Sequence, residues 1–223
     1  MVKILLASLG GLTGWFSIFF FKDIMKNKNN LNKNNSWVKL GILGFVFNFF
    51  DTLGIGSFAP LTASMKFLKQ VRDRIIPGTL NVSCTIPIVF EAFIFISVIQ
   101  VEMFTLVAMI GSAVIGAYLG AGIVAKMDET KIQIVMGFAL LVTAFLMLSG
   151  QMGWMPVGGD AIGLSGIKLG LGVAGNFILG ALMTAGVGLY APCMALIYML
   201  GLSAKVAFPI MMGSCAFLMP VAS

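Results

Sequence analysis

Long apolar stretches, separated by short charged loops, make up most of the chain. Uninterrupted apolar runs cover residues 4–21, 79–100, 103–125, 132–149 and 206 to the end. A run of about 20 apolar residues can cross the hydrocarbon core of a bilayer as an α-helix, because a helix satisfies its own backbone hydrogen bonds. Short alternating strands typical of a membrane barrel are missing from the pattern. It therefore predicts an all-α, multi-pass membrane protein.

Two further apolar stretches, residues 38–65 and 169–200, are interrupted by small and ring-constrained residues. Each contains the same spaced set, namely Gly54, Gly56 and Pro60 in the first stretch and Gly186, Gly188 and Pro192 in the second. At this offset of 132 residues, eight of the 26 positions from Thr52 to Pro77 are identical to their counterparts. Corresponding interruptions in two halves of a membrane protein are typical of secondary transporters, whose site forms between broken helices. Two packing kinks are the alternative.

The distribution of basic residues predicts the topology. Lysine and arginine concentrate in loops 22–39, 66–76 and 126–131, which we expect to be cytoplasmic, whereas the long loop 150–167 contains neither and is expected to be external. A segment that joins two cytoplasmic loops must return to the side it left. Residues 38–65 are therefore predicted to form a re-entrant hairpin with arms of roughly 12–15 residues, too short for a full span. The N-terminus is then external, and the hairpin of residues 169–200 enters from outside.

The crossings divide the chain into two repeats. Residues 1–125 form the first, with a helix, hairpin 38–65 and two helices. Residues 132–223 form the second, with a helix, hairpin 169–200 and a helix. Because the first repeat crosses the membrane three times, the second is predicted to be inverted, with the two hairpin tips meeting near the midplane. The second repeat has no partner for segment 103–125, so we expect a further helix beyond Ser223.

Composition agrees with a membrane protein and argues against several functional classes. The chain is 59% hydrophobic and 10% charged, which excludes an ordinary soluble domain. Its formal net charge of +6 is typical of loops that face anionic lipid, so no nucleic-acid partner is expected. There is no histidine, and the three cysteines lack metal-ligand spacing, so neither a cofactor nor a metal is expected. An enzyme would need Cys193 or Cys215 as a nucleophile with Asp51 or Glu91 as its base, and the spacing of these residues does not indicate such a pair.

Only two carboxylates, Asp51 and Glu91, fall within the predicted membrane segments. Placing a carboxylate near the bilayer centre costs about 2.5–3.5 kcal/mol on insertion scales, so it is normally paired, protonated or facing a cavity. Asp51 precedes the first glycine and could cap a half-helix or carry a coupling proton. Glu91 could carry a proton or make a structural hydrogen bond. The residue pattern leaves both pairs of alternatives open.

Polar side chains around the two interruptions are candidate ligands of a substrate. The N-terminus of a half-helix exposes unpaired N–H groups with partial positive charge, which suits a small anion. Serine and threonine also bond back to helix carbonyls, and this is the alternative for each of them. The candidates are Asp51, Thr52, Ser57, Thr79, Asn81, Thr184, Tyr190, Cys193 and Ser214.

Three stretches of the chain are distinctive: Gly44-Phe-Val-Phe-Asn-Phe-Phe-Asp-Thr-Leu-Gly-Ile-Gly-Ser-Phe-Ala-Pro60, Pro77-Gly-Thr-Leu-Asn81 and the second interruption. Together they resemble the TauE/SafE family of sulfite exporter-like proteins. The resemblance implies a multi-pass carrier in the cell membrane with inverted halves. It implies a cargo such as sulfite, sulfoacetate, thiosulfate or a small organic acid, and coupling to a proton or sodium gradient. Carried over by position, it adds glycines and prolines to the substrate surround: Gly54, Gly56, Pro60, Gly78, Gly186, Gly188 and Pro192.

Together these features predict a secondary transporter, either an exporter or a permease, that moves a small anion by alternating access. A passive anion channel could use the same helix-end electrostatics and is the first alternative. A membrane-embedded enzyme is the second.

Overall fold

The computed structural model describes residues 1–28, 36–68, 71–154 and 158–222, and Lys33 and Lys69 of the predicted cytoplasmic loops lie outside them. Within these ranges the regular secondary structure is helical, apart from one isolated β-bridge between Ala161 and Leu202. The nine α-helices are α1 (Val2–Lys26), α2 (Trp37–Asp51), α3 (Phe58–Phe67), α4 (Ile76–Val98), α5 (Met103–Val124), α6 (Glu129–Gln151), α7 (Gly166–Met183), α8 (Tyr190–Leu200) and α9 (Ala204–Ala222). A short 3₁₀ turn, Asp73–Ile75, leads into α4.

Six of the described helices are long and apolar enough to cross a membrane: α1, α4, α5, α6, α7 and α9. The predicted all-α, multi-pass class is therefore confirmed. The predicted spans agree with the observed helices to within about five residues at each end. In residues 38–65, where arms of roughly 12–15 residues were expected, α2 has 15 residues and α3 has 10. In the second stretch, α7 has 18 residues and qualifies as a span by length. Its extra turn begins at Gly166, earlier than the apolar pattern indicated.

Both predicted interruptions are present as breaks between helices. The first lies between the end of α2 at Asp51 and the start of α3 at Phe58. The second lies between Met183 of α7 and Tyr190 of α8, at positions 132 residues further along. The helix boundaries at the two breaks therefore follow the same offset as the sequence motif.

Glycine is required at the breaks by the backbone conformation. Gly54 and Gly186, which correspond at the 132-residue offset, have φ angles of 80° and 88°. This left-handed region costs other L-residues roughly 1–2 kcal/mol. Pro60 and Pro192 lie instead in the first turn of α3 and α8, where a helix needs no N–H donor. The glycines therefore end the first arm, and the prolines fit the start of the second.

The buried core centres on α9, which packs against α4, α5 and α8. Most of α9 is shielded from the surroundings, including the large side chains of Ile210, Met211 and Met212. By contrast, α1 and α2 expose many large apolar side chains, such as Phe19 and Phe45. In a membrane protein, such surfaces contact lipid.

Glycines allow α5 and α7 to approach backbone to backbone. A methyl group built on Gly116 would lie 2.0 Å from the carbonyl oxygen of Phe177, and one built on Gly180 would lie 2.1 Å from that of Ala113. Both distances are far below contact, so only glycine fits. This is the small-residue packing by which membrane helices associate in the absence of a hydrophobic driving force.

Hydrogen bonds between loops define two opposite ends of the helix bundle. At the end that we call the Asp73 side, Asp73 accepts a hydrogen bond from Gln133 (2.8 Å) and lies 3.2 Å from the Lys66 ammonium. At the other end, the Glu102 side, the amide of Glu102 donates to the Ile162 carbonyl (2.8 Å). Helix α4 runs from the first side to the second.

The segment before α7 is also bonded to the turn after α8. The amide of Ser203 donates to the Ala161 carbonyl (2.9 Å), and that of Gly159 donates to the Leu202 carbonyl (3.0 Å). Thr105, near the start of α5, joins the same segment through the amide of Leu164 (2.8 Å). The start of α7 and the end of α8 are therefore both anchored on the Glu102 side.

Candidate functional site

The two interruptions lie against each other in the interior. A methyl group built on Gly56 would be 3.6 Å from Cβ of Tyr190, the first residue of α8. One built on Gly188 would be 3.3 Å from Cβ of Phe58, the first residue of α3. The 132-residue offset relates Gly56 to Gly188 and Phe58 to Tyr190. The two contacts are therefore reciprocal, as in an interface with a twofold axis, where residue i meets j and j meets i.

A second pair of contacts follows the same rule at the level of helices. Gly54 of the first interruption packs against Phe208 of α9, at 3.1 Å from a built methyl group. Gly186 of the second packs against Pro77 of α4, at 3.4 Å. Each interruption therefore touches the long helix that follows the other one.

A small cavity separates the two interruptions. The space open to the centre of a water-sized sphere is about 20 Å³, enough for about one water molecule. Its walls come from both breaks and from six helices, namely α2, α3, α4, α6, α7 and α8. The lining residues are Asp51, Ile55, Gly56, Ser57, Phe58, Ala59, Ile88, Thr143, Met183, Gly188, Leu189, Tyr190 and Ala191.

The starts of α3 and α8 both face this cavity. The residues Ser57, Phe58 and Ala59 begin α3 at its wall, and Leu189–Ala191 begin α8 at the opposite wall. In both helices, the side chain of the N-cap residue makes no hydrogen bond to the first turn. The N–H groups of a first turn have no partner within their own helix, and they carry partial positive charge. The positive ends of two helices therefore converge on one small space.

Asp51 lies at the same space, buried with 1% of its surface exposed. Its Oδ1 accepts a hydrogen bond from the amide of Ser57 (2.5 Å), which ties the end of α2 to the start of α3. This bond fits the structural one of the two roles that the sequence left open for Asp51, although it reaches the N-cap residue of α3 and not an amide of its first turn. The second oxygen, Oδ2, is buried and has no hydrogen-bond partner. Asp51 thus combines the structural bond from the Ser57 amide with the nearby hydroxyls of Ser57 and Tyr190 at the cavity.

Glu91 lies behind the cavity wall on α4, about one turn beyond Ile88. It is 5% exposed, and its Oε2 accepts a hydrogen bond from the hydroxyl of Tyr190 (3.3 Å). Asp51 and Glu91 are close enough to interact electrostatically. They are the only buried charged residues in the described part of the chain. The site thus joins two buried acids to a tyrosine from the other half.

The two halves contribute different chemistry at equivalent positions. Asp51 corresponds to Met183 at the 132-residue offset, and Ser57 corresponds to Leu189; all four line the cavity. The polar side chains of this wall therefore come from the first interruption. Tyr190, which corresponds to Phe58, adds a hydroxyl on the opposite wall. Thr143 of α6 adds a second one.

Five of the residues predicted from sequence line the cavity: Asp51, Gly56, Ser57, Gly188 and Tyr190. Two other predicted residues line neighbouring spaces. Gly54 borders a larger cleft, and Pro192 borders an apolar groove between α6 and α7. The remaining candidates lie elsewhere in the structure: Thr52, Pro60, Gly78, Thr79, Asn81, Thr184, Gly186, Cys193 and Ser214.

Several of these outlying candidates bond back to their own helix. The hydroxyls of Thr52, Thr79 and Thr184 donate to carbonyls three or four residues earlier, as the alternative reading expected. The amide of Asn81 donates to the Pro77 carbonyl (3.0 Å), while its oxygen is buried without a partner. Gly78 lies exposed near the Asp73 side.

Cys193 and Ser214 belong to a separate buried cluster around Asn176 of α7. The Asn176 amide donates to the Met109 carbonyl of α5 (2.8 Å) and to the Ser214 hydroxyl of α9 (2.9 Å). The Cys193 thiol of α8 lies 3.6 Å from the Asn176 oxygen. One side chain therefore links four helices just outside the cavity. Asn176 itself was not among the predicted residues.

Thr143 and Ile88 line the cavity from helices that no motif marked. Both lie within uniformly apolar spans, so neither spacing nor composition distinguishes them. For Phe58 and Ala59, adjacency to the glycine motif was a usable signal, because the residues after a break form the exposed first turn.

A larger cleft adjoins the cavity and shares Ile55 and Ala191 with it. It has a volume of about 650 Å³ and is bordered by the end of α6, including Gln151. Tyr198 of α8 and Ala204 at the start of α9 complete its border. These residues lie towards the Glu102 side.

Comparison with known proteins places the chain in a family. Residues 1–147, about two thirds of the chain, match the family described as sulfite exporter TauE/SafE. The chain belongs to the TauE/SafE family. This family is a transporter family, so the chain is a multi-pass membrane transporter protein of the sulfite exporter type. A search of curated proteins and a search of solved structures found no significant match.

The family match includes the first interruption and ends within α6, before the second interruption. The second interruption is tied to the first by its sequence, by its helix boundaries and by the reciprocal contacts. These observations relate the half of the chain that supplies Tyr190 to the half that the family match covers.

Proposed function

We propose that this protein is a secondary transporter that carries a small anion through the cavity between the two interruptions. The observation that carries the proposal is the convergence of the starts of α3 and α8 on one buried space. Two helix N-termini attract an anion without a buried lysine or arginine. The cargo is a small sulfur oxyanion or sulfonate, such as sulfite, thiosulfate or sulfoacetate, or a small organic acid.

The proposal includes two inverted repeats, each with a re-entrant hairpin. The reciprocal contacts of Gly56 with Tyr190 and of Gly188 with Phe58 support a twofold relation between the halves. For the second hairpin, anchoring both the start of α7 and the end of α8 on the Glu102 side supports entry and exit at one face. The basic loops on the Asp73 side then face the cytoplasm of the cell.

Alternating access is proposed because access to the cavity differs between the two sides. The cleft of about 650 Å³ meets the cavity from the Glu102 side. On the Asp73 side, the ion pair of Lys66 with Asp73 and the bond from Gln133 hold α3, α4 and α6 together. A cavity with room for about one water would have to widen before it accepts an anion. Such widening is expected of a carrier and not of an open channel.

The first experiment measures binding by the purified protein. Sulfite, thiosulfate, sulfoacetate and simple carboxylates are added in turn, and the melting temperature is recorded against concentration. A bound anion must raise it in a saturable way. Gly56→Leu and Gly188→Leu should fill the cavity and abolish the shift. Gly170→Leu, at an exposed helix position with open space around it, is the matched control and should keep the shift.

The second experiment separates a carrier from a passive channel. Proteoliposomes loaded with the anion that binds are diluted into its labelled form, and uptake is followed with time. A carrier accumulates label by exchange when unlabelled anion is inside, whereas a channel only equilibrates along the gradient. Absence of both binding and exchange for every anion in the series would overturn the proposed function.

A further inference from the structure

The cavity that is proposed to hold an anion also contains a carboxylate. Asp51 lines it, and its Oδ2 is buried without a hydrogen-bond partner. Because the Asp51 Oδ1 accepts from Ser57 at the start of α3, the carboxylate already lies at one of the two positive helix ends. An incoming anion would meet a like charge at short range in a medium of low dielectric constant. Protonation of Oδ2 removes that charge and supplies a donor.

No described side chain around Asp51 carries a positive charge, so only the partial charge at the start of α3 offsets its charge. Glu91 and Cys84 approach from α4, Tyr190 from α8 and Cys215 from α9. The only buried charged residues in the described ranges are Asp51 and Glu91. A second proton acceptor, rather than a cation, therefore stands next to the first.

Tyr190 connects the two acids. Its hydroxyl donates to Glu91 Oε2 at 3.3 Å, and it interacts electrostatically with Asp51. The tyrosine is 4% exposed and comes from the second half, while both acids come from the first. A proton held among these groups is thus held at the contact between the two halves.

We propose that Asp51, Glu91 and Tyr190 form one proton-binding unit, and that the anion enters the cavity only when this unit is protonated. Proton and anion then bind with positive cooperativity and move together in the same direction. This inference rests on the proposed function, because it specifies how the same cavity is loaded. No bond other than that to the proton forms or breaks: the proton leaves water, binds the acid pair and returns to water on the other side.

The test uses anions of strong acids, namely thiosulfate, sulfate and methanesulfonate, because their charge stays constant over the pH range studied. The Kd of each is measured for the purified full chain at a series of pH values, in sodium-free buffer. If one proton must bind first, Kd falls about tenfold for each unit decrease in pH on the alkaline limb of the curve. By linkage, anion binding must also take up about one proton per site from a weakly buffered solution.

Three variants test the members of the unit. Asp51→Asn keeps an acceptor for the Ser57 amide, removes the charge and should make Kd independent of pH. Glu91→Gln should reduce both the pH dependence of Kd and the dependence of uptake on a pH gradient in proteoliposomes. Tyr190→Phe removes only the hydroxyl and reproduces the ring found at Phe58, so it should fold and bind with a shifted pH profile. Asp160→Asn, an exposed carboxylate, is the control with an unchanged profile.

The outcomes separate this inference from the proposed function. Saturable binding with a flat pH profile and no proton uptake in the unaltered protein would overturn the proton unit and leave the anion site standing. Binding that requires sodium at every pH would overturn it in favour of a sodium-coupled site. Failure of these three anions and of every anion of the first experiment to bind at any pH, with or without sodium, would overturn the anion site itself. Because proton uptake is measured on the unaltered chain, the test does not depend on the folding of any variant.

Discussion

The close packing of α5 against α7 leads to a prediction in which one substitution has opposite effects at two positions of the same helix. Gly180→Ala would place a methyl group 2.1 Å from the carbonyl oxygen of Ala113. A carbon normally approaches such an oxygen no closer than about 3.3 Å. The two backbones would therefore have to separate by roughly 1 Å. Overpacking of this kind costs typically 1–3 kcal/mol, and we expect the upper end because the obstacle is backbone, not a movable side chain.

Gly170→Ala is the matched control. Gly170 lies in the same helix, but a methyl group there meets nothing within 4 Å. Alanine is favoured over glycine in a helix interior by about 1 kcal/mol, so this variant should be slightly more stable than the unaltered protein. This gain applies to both variants and cancels in the comparison, so the difference between them should be about 3 kcal/mol, the cost of overpacking.

Thermal unfolding of the detergent-purified protein measures this difference. For a chain of about 150–250 residues, 1 kcal/mol corresponds to a change in Tm of roughly 2–4 °C. We expect Gly180→Ala to melt several degrees below the unaltered protein and Gly170→Ala to melt at or above it. Equal Tm values for the two variants would refute the backbone contact between α5 and α7.

Three other predictions concern the breaks, the asparagine cluster and the Glu102 side. Gly56→Ala should cost about 1–2 kcal/mol because of its left-handed backbone, and Gly188→Ala should cost less because its φ is ordinary; the reverse order of Tm would contradict this. Asn176→Ala should lower stability by roughly 1–2 kcal/mol through lost interhelical bonds, also measured as Tm. Hydrogen bonds from Thr105 and then Phe104 hold the pKa of Glu102 below its ordinary value of about 4.3. That contribution is full above this ordinary value and is lost as pH falls through the lowered pKa, so Glu102→Gln should flatten the acid limb of Tm against pH.

The spans and the two breaks could be predicted from the sequence because both depend on local physical signals. A long apolar run predicts a membrane-spanning helix, because lipid does not tolerate unpaired backbone groups and a helix pairs its own. Glycine at Gly54 and Gly186 reports a break, since the required φ angle is costly for other residues. The interruption motifs thus predicted both breaks, and the contact between Gly56 and Tyr190 agrees with the expected meeting of the two tips.

The composition of the cavity was only partly predictable because it depends on tertiary packing. Thr143 reaches the cavity from α6, at a position that looks like any threonine in an apolar helix. Conversely, Ser214 and Cys193 looked like ligands of a substrate, yet their polar atoms are directed at Asn176. Which face of a buried helix meets the site is set by its neighbours, and a helix that is apolar all round carries no periodic signal for it.

The difference between the two halves at the tips leads to a last prediction. Tyr190 and Phe58 occupy equivalent positions, and only the tyrosine hydroxyl has a carboxylate, Glu91, within hydrogen-bond distance. If the hydroxyl acts only from position 190, moving it to position 58 should not restore the pH profile that is lost in Tyr190→Phe. In the double variant Phe58→Tyr/Tyr190→Phe, the new hydroxyl would lie towards the apolar positions equivalent to Asp51 and Ser57, namely Met183 and Leu189.

A buried hydroxyl without a partner costs about 1–3 kcal/mol, so the double variant should be less stable than Tyr190→Phe alone and should keep its shifted pH profile of anion binding. Thermal unfolding and the pH dependence of Kd test the two parts separately. Recovery of the original pH profile in the double variant would mean that any hydroxyl between the tips suffices. The asymmetry between the halves would then be incidental to proton binding, because either tip could supply the group that bridges the two acids.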